Sequence, residues 1–330
     1  MSMRIGIVEN VQFFGRTFEE FLDVIREVGL RYIQLSCRPG STWRSGSPGR
    51  DPLYGTAELC IFPVEYADPT TMRPSMELKQ LIESYGVKVT SFYHNCEWMA
   101  SLWLGDTQLD IEADRIMELC DLANQWGVPV IRASEGPEER YQFNYVKLIR
   151  DYTKRRCLEQ VRKALQRCVK YAENTGVCLA LENHGVLLQN ANEVVSMIKS
   201  IGSDYLGANV DTGNFTYSGA LPDALRDYYR TIAPYTYSTH IKDAKRQWDV
   251  KNPPTRMQRE SSWGGASQAR VVECPVGDGD AEIKFFVEEL KKYSKFRQIG
   301  TLNIQQEHGD PRVARIDMLK KSFAYLKSIT

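Results

Sequence analysis

The chain has 330 residues, of which 42% are hydrophobic and 25% charged, a balance typical of a globular protein with a sizeable core. Its 42 Lys and Arg residues equal its 42 Asp and Glu residues, so no positive surplus exists to bind a nucleic-acid backbone. The chain begins as a strand rather than a signal peptide, and no run of about 18 apolar residues occurs. These features predict a cytoplasmic protein with no nucleic-acid or membrane partner.

Strand-like and helix-like segments alternate along the chain. Thr17-Phe18-Glu19-Glu20 has the pattern of a capping box, so a helix is expected after Thr17 and should end at Gly29. Further helices are predicted at 75–85, 110–126, 153–175, 192–201, 221–233, 282–293 and 316–329. Apolar runs predict strands at 4–8, 32–36, 87–94, 128–133, 177–182, 206–211, 235–243 and 301–307.

Eight strands, each followed by a helix, is the element count of a (β/α)₈ TIM barrel. A doubly wound sheet is the alternative, but its first turn is usually rich in glycine, and 10–17 contains only Gly15. We therefore predict one barrel domain over 1–330. Long loops after strands two and seven, at about 38–74 and 245–269, are expected to cover the C-terminal mouth of the barrel.

Four strands end in polar residues that can each bind a metal ion. Glu182 follows the fifth strand, Asp211 the sixth, His240 lies in the seventh and Glu307 follows the eighth. Because a barrel places the C-terminal ends of all its strands around one mouth, these side chains should converge. Three carboxylates and one imidazole suit a divalent cation, and the nitrogen ligand favours Mn²⁺ or Co²⁺ over Mg²⁺. Each residue alone has a simpler explanation as a cap, an ion-pair partner or a satisfied core group.

Five segments carry a resemblance to a known family. LALENHG, GANVDTGN, STHIKDA, PVGDGD and LNIQQEH, in this order, are similar to the signature of the xylose-isomerase-like TIM barrels, the sugar phosphate isomerase/epimerase superfamily. The resemblance implies that Glu182, Asp211, His240 and Glu307 are the metal ligands, with Mn²⁺ as the first choice and Mg²⁺ or Co²⁺ as alternatives. It also implies that Glu182 and Glu307 act as the acid/base pair of a keto-sugar epimerase.

Two residues depart from the pattern of many relatives. Asn214 stands where they have a histidine after the sixth strand, and an amide binds substrate hydroxyls but transfers no proton at neutral pH. Gln305 stands where some relatives have glutamate, so the fourth ligand is either Gln305 or Glu307, and a carboxylate is the better ligand. The predicted substrate-binding residues are His94, Arg132, His184, Asn214 and Lys242.

The strand-end residues and the family resemblance together imply three functions. The first is a metal-dependent isomerase or epimerase that abstracts a proton next to the carbonyl of a keto-sugar or ketocyclitol and forms an enediolate. The second is a dehydratase or lyase that eliminates a β-substituent from a keto-inositol or 3-keto-glycoside. The third, of another class, is a barrel that binds carbohydrate without catalysis. The expected partners are a carbohydrate or cyclitol substrate, a second copy of the chain and, for the lyase, a small partner subunit.

Overall fold

A computed structural model describes residues 3–9, 14, 17–37, 66–68, 73–96, 106–135, 151–184, 187–246, 271–306 and 312–330. Most of the loop predicted at about 38–74 and nearly all of that at 245–269 lie outside these ranges. Glu307, one of the predicted metal ligands, also lies outside the described residues.

The predicted barrel is present. Eight parallel strands close on themselves, and each hydrogen-bonds to its neighbours on both sides. They are β1 (Ile5–Val8), β2 (Tyr32–Ser36), β3 (Lys88–Cys96), β4 (Val130–Glu135), β5 (Cys178–Glu182), β6 (Leu206–Asp211), β7 (Thr236–Ile241) and β10 (Leu302–Ile304). The order around the barrel is β1, β10, β7, β6, β5, β4, β3 and β2, which is the sequential order of a (β/α)₈ fold.

Helices follow the strands, and the first of them begins and ends at the residues that the sequence indicates. Thr17 Oγ1 accepts a hydrogen bond from the Glu20 N–H at 3.1 Å, and Gly29 ends the first helix at φ 97°, a conformation that favours glycine. The helices are α1 (Phe18–Val28), α2 (Met76–Ser84), α3 (Asp106–Trp126), α4 (Asp151–Thr175), α5 (Ala191–Ile201), α6 (Thr212–Tyr217), α7 (Pro222–Ile232), α8 (Ile283–Leu290), α9 (Ser294–Ile299) and α10 (Arg312–Ile329).

The apolar core lies between the barrel and its helices, where outward strand residues such as Leu179 and Leu181 are buried. Inside the barrel, side chains form layers. The layer nearest the N-terminal ends is apolar and contains Val130, Cys178, Ala180 and Tyr237. The next layer towards the mouth is polar but uncharged, and consists of Gln34, Ser91, Asn209, Ser238 and Asn303.

Several elements differ from the prediction. The short helix α6 begins directly after Asp211, and α9 separates α8 from β10. The seventh strand ends at Ile241, and the chain continues as β8 (Asp243–Arg246), which pairs antiparallel with β9 (Val271–Cys274). The two ends of the predicted insertion are thus joined in a hairpin, which sequence periodicity did not reveal because each strand has only four residues.

Asp243 organises the PVGDGD segment. Its carboxylate accepts backbone N–H bonds from Ala244, Gly277, Gly279 and Ala281 at 2.9–3.1 Å. A Cβ atom on Gly279 would lie 2.1 Å from Asp243 Oδ1, so this position requires glycine. The segment is thus a turn wrapped around a buried carboxylate.

Among the described residues, the search for membrane spans finds no helix with the length and apolar character that crossing a bilayer requires.

Candidate functional site

The C-terminal ends of β5, β6 and β7 bring three of the predicted ligands together. The strand register pairs Asp211 with His240 and Glu182 with Asn209. Asn209 and Asp211 are two residues apart on β6, so both point to the same face. Glu182, Asp211 and His240 are each no more than 2% exposed. One ligand atom from each lies within 4.8 Å of the other two, an arrangement that could hold a metal ion.

The imidazole of His240 has a defined orientation. Its Nε2 lies 2.5 Å from Gln34 Oε1, and the Gln34 amide nitrogen in turn donates to Ser91 Oγ at 2.9 Å. An amide oxygen only accepts, so Nε2 carries a proton, and in the neutral imidazole Nδ1 then presents a lone pair. Nδ1 lies 2.7 Å from Glu182 Oε1 and 3.7 Å from Asp211 Oδ2.

These residues fit a divalent cation. His240 Nδ1 is buried next to Glu182 Oε1 without hydrogen-bond geometry towards it. Two carboxylate oxygens and an unprotonated imidazole nitrogen that face one point are the donor set of Mn²⁺, Co²⁺ or Zn²⁺ rather than of a network held by protons. Asn209 Nδ2 donates to Glu182 Oε1 at 3.0 Å and fixes that oxygen from the layer below, as outer hydrogen bonds commonly do for metal ligands.

Two cations flank the carboxylates. The Arg132 guanidinium on β4 pairs with Glu182 Oε2, donates to Asn95 Oδ1 at 2.8 Å, and lies 4.5 Å from the centre of the Tyr93 ring. The Lys242 Nζ atom lies 2.9 Å from Asp211 Oδ2, and the Lys242 side chain is 3% exposed. Both residues belong to the predicted substrate-binding set, and the structure places both beside the metal-ligand candidates.

The cations control the ionisation of both acids. Burial raises the pKa of Glu182, but its neighbours, with the Arg132 guanidinium foremost, outweigh this effect and hold it well below its usual range. The pKa of Asp211 is likewise lowered, because its neighbours, with the Lys242 ammonium foremost, outweigh its burial. Both side chains are therefore carboxylates at neutral pH.

His184 is neutral beside this charged group. Burial lowers its pKa to about 4, and the positive charges of Arg132 and Lys242 act in the same direction, against Glu182 and Asp211. An uncharged imidazole at the end of β5 is suited to hydrogen-bonding a neutral substrate hydroxyl.

Asn214 lies at the site, but its amide is directed to the backbone. The side-chain nitrogen donates to the Asn183 carbonyl at 3.1 Å, and the backbone N–H donates to Asp211 Oδ1 at 3.1 Å. Asn183 in turn exchanges two hydrogen bonds with the Asp211 backbone, at 2.7 and 2.8 Å. Asn214 therefore holds the ends of β5 and β6 together and orients Asp211, and its contact with substrate stays a prediction.

His94 faces away from the site. The residues on either side of it, Tyr93 and Asn95, contact Arg132 inside the barrel, whereas His94 Nε2 lies 3.1 Å from Glu112 Oε2 of α3. Because successive side chains of a strand point to opposite faces, His94 is on the outer face. The prediction that it contacts substrate does not hold, since the alternation within β3 places its neighbours in the barrel interior.

Sequence reasoning missed two residues that support the site, Gln34 and Asn209. Both are fully buried. Each is a lone amide in an otherwise apolar or small-residue strand, and Asn209 alternates with Asp211. A buried amide on the same strand face as a proposed ligand was the signal that could have found Asn209. Gln34 had no such signal, because β2 carries no proposed ligand.

Comparisons with known proteins agree with the architecture. The family model for the xylose isomerase-like TIM barrel matches residues 54–329. A search of curated proteins finds no match.

Solved structures share the fold at low sequence identity. A xylose isomerase-like TIM barrel protein from Mycobacterium smegmatis in complex with magnesium is 16% identical, with a TM-score of 0.65 over 99% of this chain and 96% of that one. An L-ribulose 3-epimerase is 15% identical, with a TM-score of 0.63 and coverage of 99% and 94%. A 3-keto-D-glucoside 4-epimerase from E. coli is 14% identical, with a TM-score of 0.62 and coverage of 99% and 100%. With most of its length matched by the family model, this chain belongs to the xylose isomerase-like TIM barrel family.

Proposed function

We propose that this protein is a divalent-metal-dependent sugar isomerase or epimerase that moves a proton at the carbon next to the carbonyl of a keto-sugar or ketocyclitol. The observation that carries the proposal is the convergence of Glu182 Oε1, Asp211 Oδ2 and His240 Nδ1 at the barrel mouth. The solved neighbours named as sugar and keto-glucoside epimerases support this class of substrate.

Glu182, Asp211 and His240 would hold the cation, with Glu307 as the expected fourth ligand. The cation, Mn²⁺ by preference, supplies the Lewis acidity that lowers the pKa of a carbon acid and stabilises the enediolate. A buried site of this kind excludes water and strengthens the interactions among its charges.

Glu182 is the proposed base on one face of the substrate. Its low pKa keeps it ionised, but it also makes Glu182 a weak base, so only a strongly acidified C–H can transfer a proton to it. Arg132, which pairs with Glu182 Oε2, fixes the plane of the carboxylate and leaves Oε1 directed into the site. Glu307 is the proposed acid on the opposite face, where it would return a proton and invert or relocate the stereocentre.

The remaining polar groups would bind substrate oxygens. Lys242 and Arg132 have only hydrogen-bond donors, and both would stabilise the negative charge that develops on an enediolate oxygen. His184, held neutral, would hydrogen-bond a hydroxyl. These assignments leave Asn214 as the residue that orients Asp211.

Elimination is the second candidate, and Lys242 is the observation that favours it. A buried ammonium group next to the carboxylates can protonate a departing hydroxyl or alkoxide on the carbon β to the carbonyl. The same enediolate would then collapse with loss of the β-substituent. Lys242→Met separates the two reactions, because it should abolish elimination and leave proton exchange measurable.

Isotope exchange tests the proposal. Metal-stripped protein is reloaded with Mn²⁺ and incubated in D₂O with ketohexoses, 2-ketoinositol and 3-keto-glucosides, and deuterium at the carbon next to the carbonyl is followed by NMR. Exchange is expected with at least one of these compounds, is lost with a chelator, and falls by at least about a thousandfold in Glu182→Gln.

Glu9→Gln is the matched control. Glu9 also has a fully buried carboxyl group at the C-terminal end of a barrel strand, but its Oε2 accepts the Ser36 N–H at 3.0 Å, and it is not part of the converging group. The rate of deuterium exchange in the Glu9→Gln variant should equal that of the wild type. Metal binding without exchange on any substrate would contradict catalysis and favour the barrel that only binds carbohydrate.

A further inference from the structure

A second group of metal-binding side chains lies on the outer face of the barrel. His94 and Cys96 are two residues apart on β3, so both point away from the barrel interior, towards α3. Glu112 of α3 faces them. One ligand atom from each of the three residues lies within 4.8 Å of the other two, and none of the three is more than 1% exposed. We infer that this His94–Cys96–Glu112 cluster is a second metal site, selective for Zn²⁺ or Co²⁺.

The contacts of Glu112 leave one of its oxygens directed at the cluster. Arg115 Nη1, on the same helix, lies 2.5 Å from Oε1, whereas Oε2 lies 3.1 Å from His94 Nε2. Arg115 therefore neutralises the carboxylate from the solvent side without occupying the cluster. In a tetrahedral zinc site, ligand atoms are about 3.3–3.8 Å apart, so His94 Nε2 and Glu112 Oε2, now 3.1 Å apart, would separate slightly around an ion. Cys96 Sγ lies within 4.8 Å of both partners.

The donor set decides which metal binds. A thiol, an imidazole and a carboxylate combine soft, borderline and hard ligands, which favours Zn²⁺ or Co²⁺ and disfavours Mg²⁺ and Mn²⁺. The group Glu182–Asp211–His240 contains no sulfur. Metal binding through Nε2 replaces the His94–Glu112 hydrogen bond with two metal bonds and leaves the His94 proton on Nδ1. The Cys96 proton is released to solvent as the Sγ–metal bond forms.

The position of the His94–Cys96–Glu112 cluster indicates a structural role for an ion bound there. His94 and Cys96 lie near the C-terminal end of β3, and Glu112 lies in the second turn of α3. An ion here would fasten the start of the helix to the strand whose opposite face carries Tyr93 and Asn95, the two residues that contact Arg132. The inference does not rest on the proposed function, since the cluster shares no residue with the candidate site inside the barrel.

X-ray absorption on zinc tests the inference. The Asp211→Asn variant, in which the Glu182–Asp211–His240 site is weakened, is stripped of metal and loaded with one equivalent of Zn²⁺. We expect one sulfur scatterer at about 2.3 Å and nitrogen or oxygen scatterers at about 2.0–2.1 Å. Zinc bound without sulfur, or no zinc retained, would overturn the inference, and neither result would bear on proton exchange at Glu182.

Cobalt gives a second readout on full-length variants. A thiolate-to-Co²⁺ charge-transfer absorption in the near ultraviolet is expected in the wild type and should disappear in Cys96→Ser. Cys120→Ser is the matched control, because Cys120 is a buried thiol of α3 outside the cluster, and its absorption should be unchanged. An absorption that survives Cys96→Ser would overturn the assignment, and the zinc experiment remains decisive if Cys96→Ser does not fold.

Discussion

His240 Nε2 lies 2.5 Å from Oε1 of Gln34, a residue 206 positions away on the other side of the barrel interior. The amide oxygen selects the tautomer in which Nδ1 is unprotonated and faces Glu182 and Asp211. Ser91 holds the Gln34 amide in this orientation. A neutral layer beneath the mouth thus determines how the charged layer above it can bind a cation.

Removing the amide should weaken the metal site. Gln34→Leu keeps the volume but deletes the acceptor for His240, so we expect an affinity for Mn²⁺ about 10- to 100-fold lower, measured by calorimetric titration. Asn303→Leu is the control, since Asn303 is a buried amide of the same layer that donates to Ser238 Oγ at 3.5 Å. The affinity of this variant for Mn²⁺ should stay within about twofold of the wild type. Equal losses in both variants would refute a specific role for Gln34.

Glu9 should make stability depend on pH. Burial raises its pKa to about 8, although the Ser36 N–H acts in the opposite direction. The folded protein therefore retains a proton that the unfolded chain releases near pH 4.5, so the free energy of unfolding should fall as pH rises from about 4.5 to 8.

Glu9→Gln removes this dependence. At pH 4 the variant should match the wild type, and at pH 8 it should be more stable, by about 5 kcal/mol at most, because each pKa unit corresponds to about 1.4 kcal/mol. Urea unfolding at the two pH values measures the difference. A variant that is less stable than the wild type at pH 8 would show that Glu9 is ionised and paired in the folded protein.

Asp243→Asn should destabilise the barrel. Each carboxylate oxygen accepts two backbone N–H groups, so an amide leaves two buried donors facing its NH₂ group. We expect the free energy of unfolding to fall by about 2–4 kcal/mol, measured by urea denaturation. Asp280→Asn, in the same turn but about half exposed, should change it by less than about 1 kcal/mol. Comparable effects of the two substitutions would contradict the role assigned to Asp243.

The alternation of strands and helices predicted the barrel, and the polar residues at strand ends predicted three residues of the candidate metal site. Glu182, Asp211 and His240 were found because barrel topology places strand ends together, whatever their separation in sequence. His94 was misplaced, because its strand continues to Cys96 and its face depends on alternation within that strand. The hairpin of β8 and β9 was missed because antiparallel pairing between residues so far apart has no local signature.

The contacts between particular side chains were the hardest feature to predict from the sequence. Arg132 and Lys242 were recognised as candidates, but their partners, Glu182 and Asp211, could not be deduced from spacing. Asn214 was expected to bind substrate, yet it is held by Asn183, whose own orientation depends on the backbone of β6. Such assignments depend on rotamers that packing decides.

The most direct test of the central claim is a crystal structure of Mn²⁺-loaded protein with anomalous diffraction recorded at the manganese edge. The account predicts an anomalous peak bonded to Glu182 Oε1, Asp211 Oδ2 and His240 Nδ1, with His240 Nε2 still on Gln34. Manganese located elsewhere, or none bound while Arg132 and Lys242 keep both carboxylates paired, would contradict it.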